Sequence, residues 1–440
     1  MKPVHIPVER YLSDEFAARE QAQMWPKVWQ LACSVDHVAE PGDWYEHVVG
    51  NLSVLVVRGD DGELRAFQNV CRHRGSSICT GSGGGLAELR CPYHGWTWDL
   101  DGRLREVPSR RVFGVDNESY GLFPARVDTW GPLVFVDLAL DGPSLAEFLA
   151  PVPDDCAWAH LDEFRCTAQA TVKARCNWKT LIEGFSETYH VQGIHREMLT
   201  MADDVRGPQE IWGWHGKLQQ SYGLASPRVR DVSDAQVWAG FIEVMGTRIG
   251  IPTETSPADA PAPAVPQGAT MRSVIADRLR NHASTVGHDY SALDDGQVLD
   301  MSQYNLFPNV SVLVFSDMVA AVRARPGSNT GTAYMDIFNC ERIPQRDAAN
   351  PATARTRPLD VELPPGAESY LGLVLSQDVG NFERAQRGLH QPGLEYLSVS
   401  PTEECRVVNL HRNLERVLGI TPSELTGLDQ FVAAFPNVSG

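Results

Sequence analysis

Residues 71–94 read CRHRGSSICTGSGGGLAELRCPYH, with Cys71-Arg72-His73 at one end and, after seventeen further residues, Cys91-Pro92-Tyr93-His94 at the other. Each end carries one cysteine and one histidine. Two kinds of metal site use that set: a zinc ion with four ligands, or a pair of irons held by two thiolates on one and two imidazoles on the other. Zinc fingers group Cys with Cys and His with His around a short helix, whereas both halves here are mixed. The glycines between them, Gly75, Gly81, Gly83, Gly84 and Gly85, suit a loop folded closely over a cluster better than a recognition helix.

The mixed order is therefore read as a Rieske 2Fe-2S centre, in which the histidine pair raises the reduction potential and the cluster carries electrons. The other seven cysteines, Cys33, Cys79, Cys156, Cys166, Cys176, Cys340 and Cys405, show no such spacing and read as small buried hydrophobes.

Around this stretch the texture is that of short strands. Trp44 to Val49, Leu52 to Arg58 and Leu64 to Val70 are separated by Gly50-Asn51 and Asp60-Asp61-Gly62, and Asp99-Leu100-Asp101-Gly102 marks a second hairpin. Leu122 to Val127 and Leu133 to Val136 add two strands before Asp141-Gly142-Pro143 breaks the pattern. Upstream, Ser13 to about Trp29 is expected to be helical, with Ser13 as N-cap and Phe16, Glu20 and Met24 on successive turns. Downstream, strands such as Thr167 to Ala174 and Val310 to Phe315 alternate with helical stretches. Two Pro/Ala-rich segments, Pro252 to Gly268 and Ile343 to Gly366, read as surface loops rather than lids.

A chain of 440 residues is long enough for two or three domains with full cores. Its formal net charge of -18 argues against a nucleic-acid surface. The N-terminus shows no signal-like apolar run and no eighteen-residue apolar segment follows, so no membrane association is expected and the chain is read as cytoplasmic. Nine cysteines without a disulfide framework agree with a reducing compartment.

A second metal site is suggested by residues 177–195, NWKTLIEGFSETYHVQGIH. Glu187 and His190 are three apart, which on a helix is one face. His195 lies five beyond His190, about 140° round an ideal helix. The two imidazoles meet only if the helix ends or distorts between them, and Gly193 offers a break. A carboxylate is available in Asp378, which interrupts an apolar stripe at Leu371, Leu375, Phe382 and Ala385. Buried, it needs a cation or several hydrogen bonds. Two histidines and one carboxylate form the facial triad that holds mononuclear non-haem Fe(II).

With both sites in one chain, the sequence resembles the catalytic α subunits of Rieske non-haem iron oxygenases, the aromatic-ring-hydroxylating family, over essentially its whole length. The resemblance rests on Cys71, His73, Cys91 and His94, on the block Asn177-Trp178-Lys179 through His195, and on Gln377-Asp378 with Gln386-Arg387-Gly388. It implies an α+β chain: a helical segment at 1–35 packing on the catalytic domain, an all-β Rieske domain at 36–150, and a larger catalytic domain at 151–440 whose antiparallel sheet is flanked by helices. It implies one 2Fe-2S cluster on Cys71, His73, Cys91 and His94, and one mononuclear Fe(II) on His190, His195 and Asp378. Glu187 is then the carboxylate linking His190 to His73 or His94 of a neighbouring subunit in a homotrimer. Tyr93, which leaves Cys79 without a disulfide partner in the loop, resembles the lower-potential, oxygenase-associated type.

Electrons are implied to come from a separate NAD(P)H-dependent reductase, sometimes through a ferredoxin, and a β subunit accompanies some members. In agreement, no G-x-G-x-x-G follows a strand in this chain. The implied reaction is reductive dioxygen activation by a mono- or dioxygenase, hydroxylating an aromatic or other cyclic apolar small molecule, as in aromatic hydrocarbon catabolism. The alternative is oxidative N- or O-demethylation of a methylated compound such as a quaternary amine, whose oxidases commonly carry Glu where Glu187 stands and ring dioxygenases carry Asp. A third reading, an electron-transfer Rieske protein without oxygenase chemistry, requires His190, His195 and Asp378 to be unrelated. Gly184 departs from the family, many members carrying Asn there. Phe185, Leu306, Phe307 and Phe315 are candidate pocket walls that read more readily as core.

Overall fold

The computed structural model describes residues 2–343, 357–364 and 371–436. Contacts divide these into two units, one of residues 17–169 and 357–360 and one of residues 2–16, 170–343, 361–364 and 371–436.

In the smaller unit, strands Trp44–Val49, Leu52–Arg58 and Leu64–Gln68 run antiparallel. Gly50 and Gly62 turn the chain between them at φ 57° and 81°, a region that glycine enters without strain. The sheet order is Gln30–Ser34, Leu133–Asp137, Pro124–Trp130, Leu64–Gln68, Leu52–Arg58, Trp44–Val49 and Ser82–Gly83. Side chains alternate across a strand, and here both faces are covered. Leu55, Val57 and Phe67 join Trp96, Trp98 and Leu100 on one side, while Val54, Val56 and Ala66 join Ala32, Cys33, Val134 and Val136 on the other. That double burial is why residues 54–57 are apolar without interruption. A three-stranded sheet, Leu89–Arg90, Thr97–Trp98 and Leu104–Glu106, carries the hairpin signalled at 99–102.

The larger unit is built on antiparallel strands Gln209–Trp212, His215–Tyr222, Met301–Leu306, Val310–Val314, Met318–Pro326 and Ala333–Arg342. Helices include Trp178–Gly184, Asp234–Met245, Met271–Thr285, Leu373–Leu389 and Cys405–Leu418. The fold is α+β, an N-terminal unit of strands followed by a larger unit of sheet and helices. No described helix is long and apolar enough to cross a membrane.

Several elements differ in detail from the sequence reading. Residues 13–29 are not one α-helix: Asp14–Arg19 is α, Glu20–Met24 is a π turn and Trp25–Lys27 is 3₁₀, because Pro26 has no N–H to continue the α ladder. Ser13 does cap it, its Oγ accepting from Phe16 N–H at 3.1 Å, and Phe16, Glu20 and Met24 are buried. The segment 1–35 is divided, Gln30–Ser34 being a strand paired with Leu133–Asp137. Within Pro252 to Gly268 there is no helix or strand, yet Ala260, Ala262 and Val265 pack on the core and Trp238 Nε1 donates to Ala260 O at 2.8 Å. Of Ile343 to Gly366, residues Leu359–Leu363 form a strand, and 344–356 and 365–366 lie outside the described residues. The stripe through Asp378 is also shifted. Its buried members are Asp378, Val379, Phe382, Gln386 and Leu389; Leu371 precedes the helix and Ala385 is exposed.

Candidate metal centres

The four residues of 71–94 sit on two near-identical turns. Cys71 N–H donates to Ser76 O at 2.8 Å and Gly75 N–H to Cys71 O at 3.0 Å; Cys91 N–H donates to Trp96 O at 2.8 Å and Gly95 N–H to Cys91 O at 3.0 Å. Gly75 and Gly95 close the turns at φ 75° and 74°. Each turn points its sulfur inward and its imidazole outward: Cys71 and Cys91 are buried, His73 half-buried and His94 exposed. The imidazole centroids lie 4.6 Å apart, and His73 lies flat on Trp96 at 5.3 Å. His73 Nδ1 is buried without a hydrogen-bond partner, a penalty that an iron bond removes. Burial opposes ionisation of both thiols; at Cys91 the backbone N–H groups of Tyr93 and His94 and the side chains of Cys71 and Ser76 outweigh it and lower the pKa, while burial and the pairing with Cys91 raise that of Cys71, so one of the two sulfurs is the readier thiolate. These donors fit a 2Fe-2S cluster.

The second centre forms where one helix stops and another begins. Helix Trp178–Gly184, capped by Asn177 whose side chain accepts from Lys179 N–H, ends before Glu187. Glu187 and His190 therefore do not share a helix face; a turn joins them, and Glu187 accepts from His190 N–H at 2.9 Å while touching the ring Nδ1 at 2.6 Å. The four-residue helix Val191–Ile194 follows, and the break falls at His195 (φ -117°, ψ 50°) rather than at Gly193. From helix Leu373–Leu389, Asp378 reaches His195 Nε2 at 3.0 Å and His190 Nε2 at 3.9 Å. One ligand atom from each of the three lies within 4.8 Å of the others. Ligands at 90° on bonds of about 2.1 Å stand roughly 3 Å apart, so the set is close to the spacing a metal needs.

The supporting contacts select the tautomers. His190 Nδ1 meets Glu187 Oε1 and His195 Nδ1 meets Gln377 Oε1, each at 2.6 Å, so both Nε2 atoms face the centre as metal ligands do. Burial lowers the His195 pKa, yet contact with Asp378 and Gln377 prevails and the net shift is upward. In the absence of a metal a proton is the available cation.

Residues that the sequence reading missed hold the backbone leading into Glu187. Gln303 and Asn305 donate to Phe185 O at 2.7 and 2.8 Å, Asn305 also donates to Ser186 Oγ at 3.1 Å, and Arg406 Nε donates to Ser186 O at 3.1 Å. The peptide groups before Glu187 are thus clamped by a strand and by helix Cys405–Leu418. Burial pushes the Arg406 guanidinium down to about 10, partly offset by Cys405 and Glu187.

The four candidate wall residues are all buried. Leu306 and Phe307 line a small cavity beside Ser186, Phe185 packs on Phe382 at 6.2 Å, and Phe315 lies in the core under Arg248 at 4.5 Å. Gly184 has a local reason: a Cβ there would stand 2.5 Å from Phe382 Cε1. Gly184→Ala gains up to ~1 kcal/mol of helix propensity but overpacks a buried ring, at about 1–3 kcal/mol. The expected net result is a lower denaturation midpoint; an unchanged or higher midpoint would show Phe382 free to yield.

Comparison with known proteins agrees with this geometry. The family described as Ring hydroxylating alpha subunit (catalytic domain) matches residues 161–420, and the Rieske [2Fe-2S] domain matches residues 28–120. The chain belongs to the ring-hydroxylating α-subunit family, whose members are Rieske non-haem iron oxygenases. The glycine betaine monooxygenase oxygenase subunit of Pseudomonas aeruginosa is 34% identical over 207 residues, 46% of this chain and 48% of that one. The biphenyl 2,3-dioxygenase α subunit of Rhodococcus jostii is 30% identical over 232 residues, 47% of this chain and 49% of that one. These matches span about half the length of each relative. A quaternary ammonium Rieske monooxygenase solved with L-carnitine shares the fold at TM-score 0.66 and 17% identity, over 94% of this chain and 96% of that one.

Proposed function

We propose that this chain is the terminal oxygenase component of a system that oxidises a small molecule with dioxygen and electrons from a separate reductase, directly or through a ferredoxin. The observation that carries the reading is the convergence of His190, His195 and Asp378 in the same chain as a two-turn Cys/His site. Cys71, His73, Cys91 and His94 would hold the 2Fe-2S cluster, and His190, His195 and Asp378 the mononuclear iron. When bound, the cluster supplies single electrons and the iron supplies dioxygen chemistry at open coordination positions.

The protein's own part is positional. Gln377 and Glu187 fix the two imidazoles, and burial of His195 and Asp378 keeps bulk water from the reacting centre. Glu187, whose Oε1 meets the His190 ring and whose Oε2 accepts from the His190 N–H, would offer the remaining lone pairs of its carboxylate to a cluster histidine of a neighbouring chain. Charge supports assembly of copies, a homotrimer by family resemblance, with or without a β subunit. Exposed Phe113 stands edge-on to His73, and exposed Arg74 and Tyr93 stand against His94, while Tyr189, Glu403 and Glu404 line a surface cavity of about 460 Å³. Glu404 is electrostatically coupled to Glu187. The seven cysteines outside the cluster set, none of them in a disulfide, favour a cytoplasmic setting.

For the substrate, Glu187 and the glycine betaine monooxygenase relative favour oxidative demethylation of a methylated amine. Oxygen insertion into an N-methyl C–H bond consumes two electrons and two protons and gives water and an N-hydroxymethyl group, which releases formaldehyde and the amine. Hydroxylation of an aromatic or other cyclic apolar compound is the second reading, favoured by the biphenyl dioxygenase relative. A panel of both classes, assayed with reductase and ¹⁸O₂, separates them. Formaldehyde from a methylated amine supports the first, and labelled oxygen kept in a hydroxylated ring supports the second. No oxidation of either class with both metals loaded contradicts both.

A further inference from the structure

Between Ser186, strands of the larger sheet and helix Cys405–Leu418 lies a half-enclosed cavity of about 310 Å³, counted with its mouth. Its lining includes Ser186, Asn305, Phe307 and Arg406. Two of these present unmet hydrogen-bonding atoms: Arg406 Nη2 and Asn305 Oδ1 are both buried without a partner. Arg406 is only 3% exposed. A buried donor and a buried acceptor left unpaired each cost about 1–3 kcal/mol, and the cost is greater for a charged group.

The size and chemistry of the cavity limit what can meet both demands. Its interior offers about 20 Å³ to the centre of a water-sized molecule, and one water needs ~10–15 Å³ by that measure. A substrate is excluded by size. A halide would accept from the guanidinium, but it cannot donate to the Asn305 carbonyl and is repelled by it. The amide orientation is fixed, because Asn305 Nδ2 is occupied by Phe185 O and Ser186 Oγ. Water fits that space and both accepts and donates.

We propose that this cavity holds an ordered water that accepts from Arg406 Nη2 and donates to Asn305 Oδ1, and that through this link Arg406 is a positioning residue for Glu187. Arg406 grips the Ser186 carbonyl, in the peptide bond that begins Glu187, and Asn305 grips Phe185 and Ser186. The water joins the two grips, so the segment 185–187 is held as one piece. This rests on Glu187 being the electron bridge. Displacing a reacting contact by about 1 Å can lower a rate roughly 100-fold.

The test has two arms. A crystal structure of the metal-loaded protein, at a resolution that shows solvent, should place a water within hydrogen-bond distance of both atoms; a dry cavity or a halide there overturns the proposal. In solution, Arg406→Lys keeps the charge but cannot grip Ser186 and the water together. It should retain both metals and an unchanged KM, while single-turnover oxidation of the reduced cluster slows about 10-fold or more. Wild-type cluster oxidation in Arg406→Lys, when Glu187→Gln is slow, overturns the role of Arg406 and leaves the bridge standing. Wild-type oxidation in Glu187→Gln overturns the bridge itself.

Discussion

Asp378→Ala is expected to purify with the visible absorbance of the cluster intact, to hold little mononuclear iron and to show no turnover. The carboxylate is 4% exposed and stands 3.0 Å from His195 Nε2; its removal leaves two imidazoles, one of them half-buried, and no anionic ligand for a divalent ion. Loss of a supporting contact around a metal lowers affinity or activity roughly 10–100-fold, and loss of a direct ligand should exceed that. The cluster turns belong to the other unit. Iron analysis beside the absorbance spectrum checks the result. Loss of the cluster, or full iron content, contradicts the assignment.

Glu187→Gln is expected to keep both metals and yet turn over about 10–100-fold more slowly. The amide has the volume of the carboxylate and can still present its one oxygen to His190 Nδ1, now 2.6 Å from Oε1, which keeps the imidazole oriented. What disappears is the bond that Oε2 accepts from His190 N–H and the negative charge that a neighbouring cluster histidine would approach. The loss should therefore fall on the oxidation rate of the reduced cluster, with iron content and KM unchanged. Wild-type turnover in this variant removes the bridging role; loss of iron reduces Glu187 to a support for His190.

The cluster turns were legible because their chemistry is local: Cys71 to His73 and Cys91 to His94 each lie in one turn, and the closing glycines are in the sequence. Strands Trp44–Val49 and Leu52–Arg58 were legible to the residue for a similar reason, a hairpin signal between two branched runs. At the proposed iron site the structure brings together the three residues that the sequence singles out, but by a different local structure. Spacing by three suggested a helix face for Glu187 and His190, while helix Trp178–Gly184 had already ended; side-chain-to-backbone bonding from Glu187 replaces the helix there. Asp378 stood out as a carboxylate in an apolar stripe, although the stripe runs on through Gln386 rather than Ala385.

The clamp on residues 185–186 was harder to see. Gln303 and Asn305 do leave a trace, two amides at alternate positions of strand Met301–Leu306 and so on one face. Arg406 leaves none, because its partner Ser186 is 220 residues away and only tertiary packing brings them together.

The central claim is that the cluster of one chain serves the iron of another. Chains carrying Cys71→Ser, without a cluster, and chains carrying Asp378→Ala, without the iron, should each be inactive alone. Co-expressed so that they assemble together, they should recover turnover, because an intact cluster then faces an intact iron site across an interface. Mixed assemblies that hold both metals and remain inactive would contradict the claim.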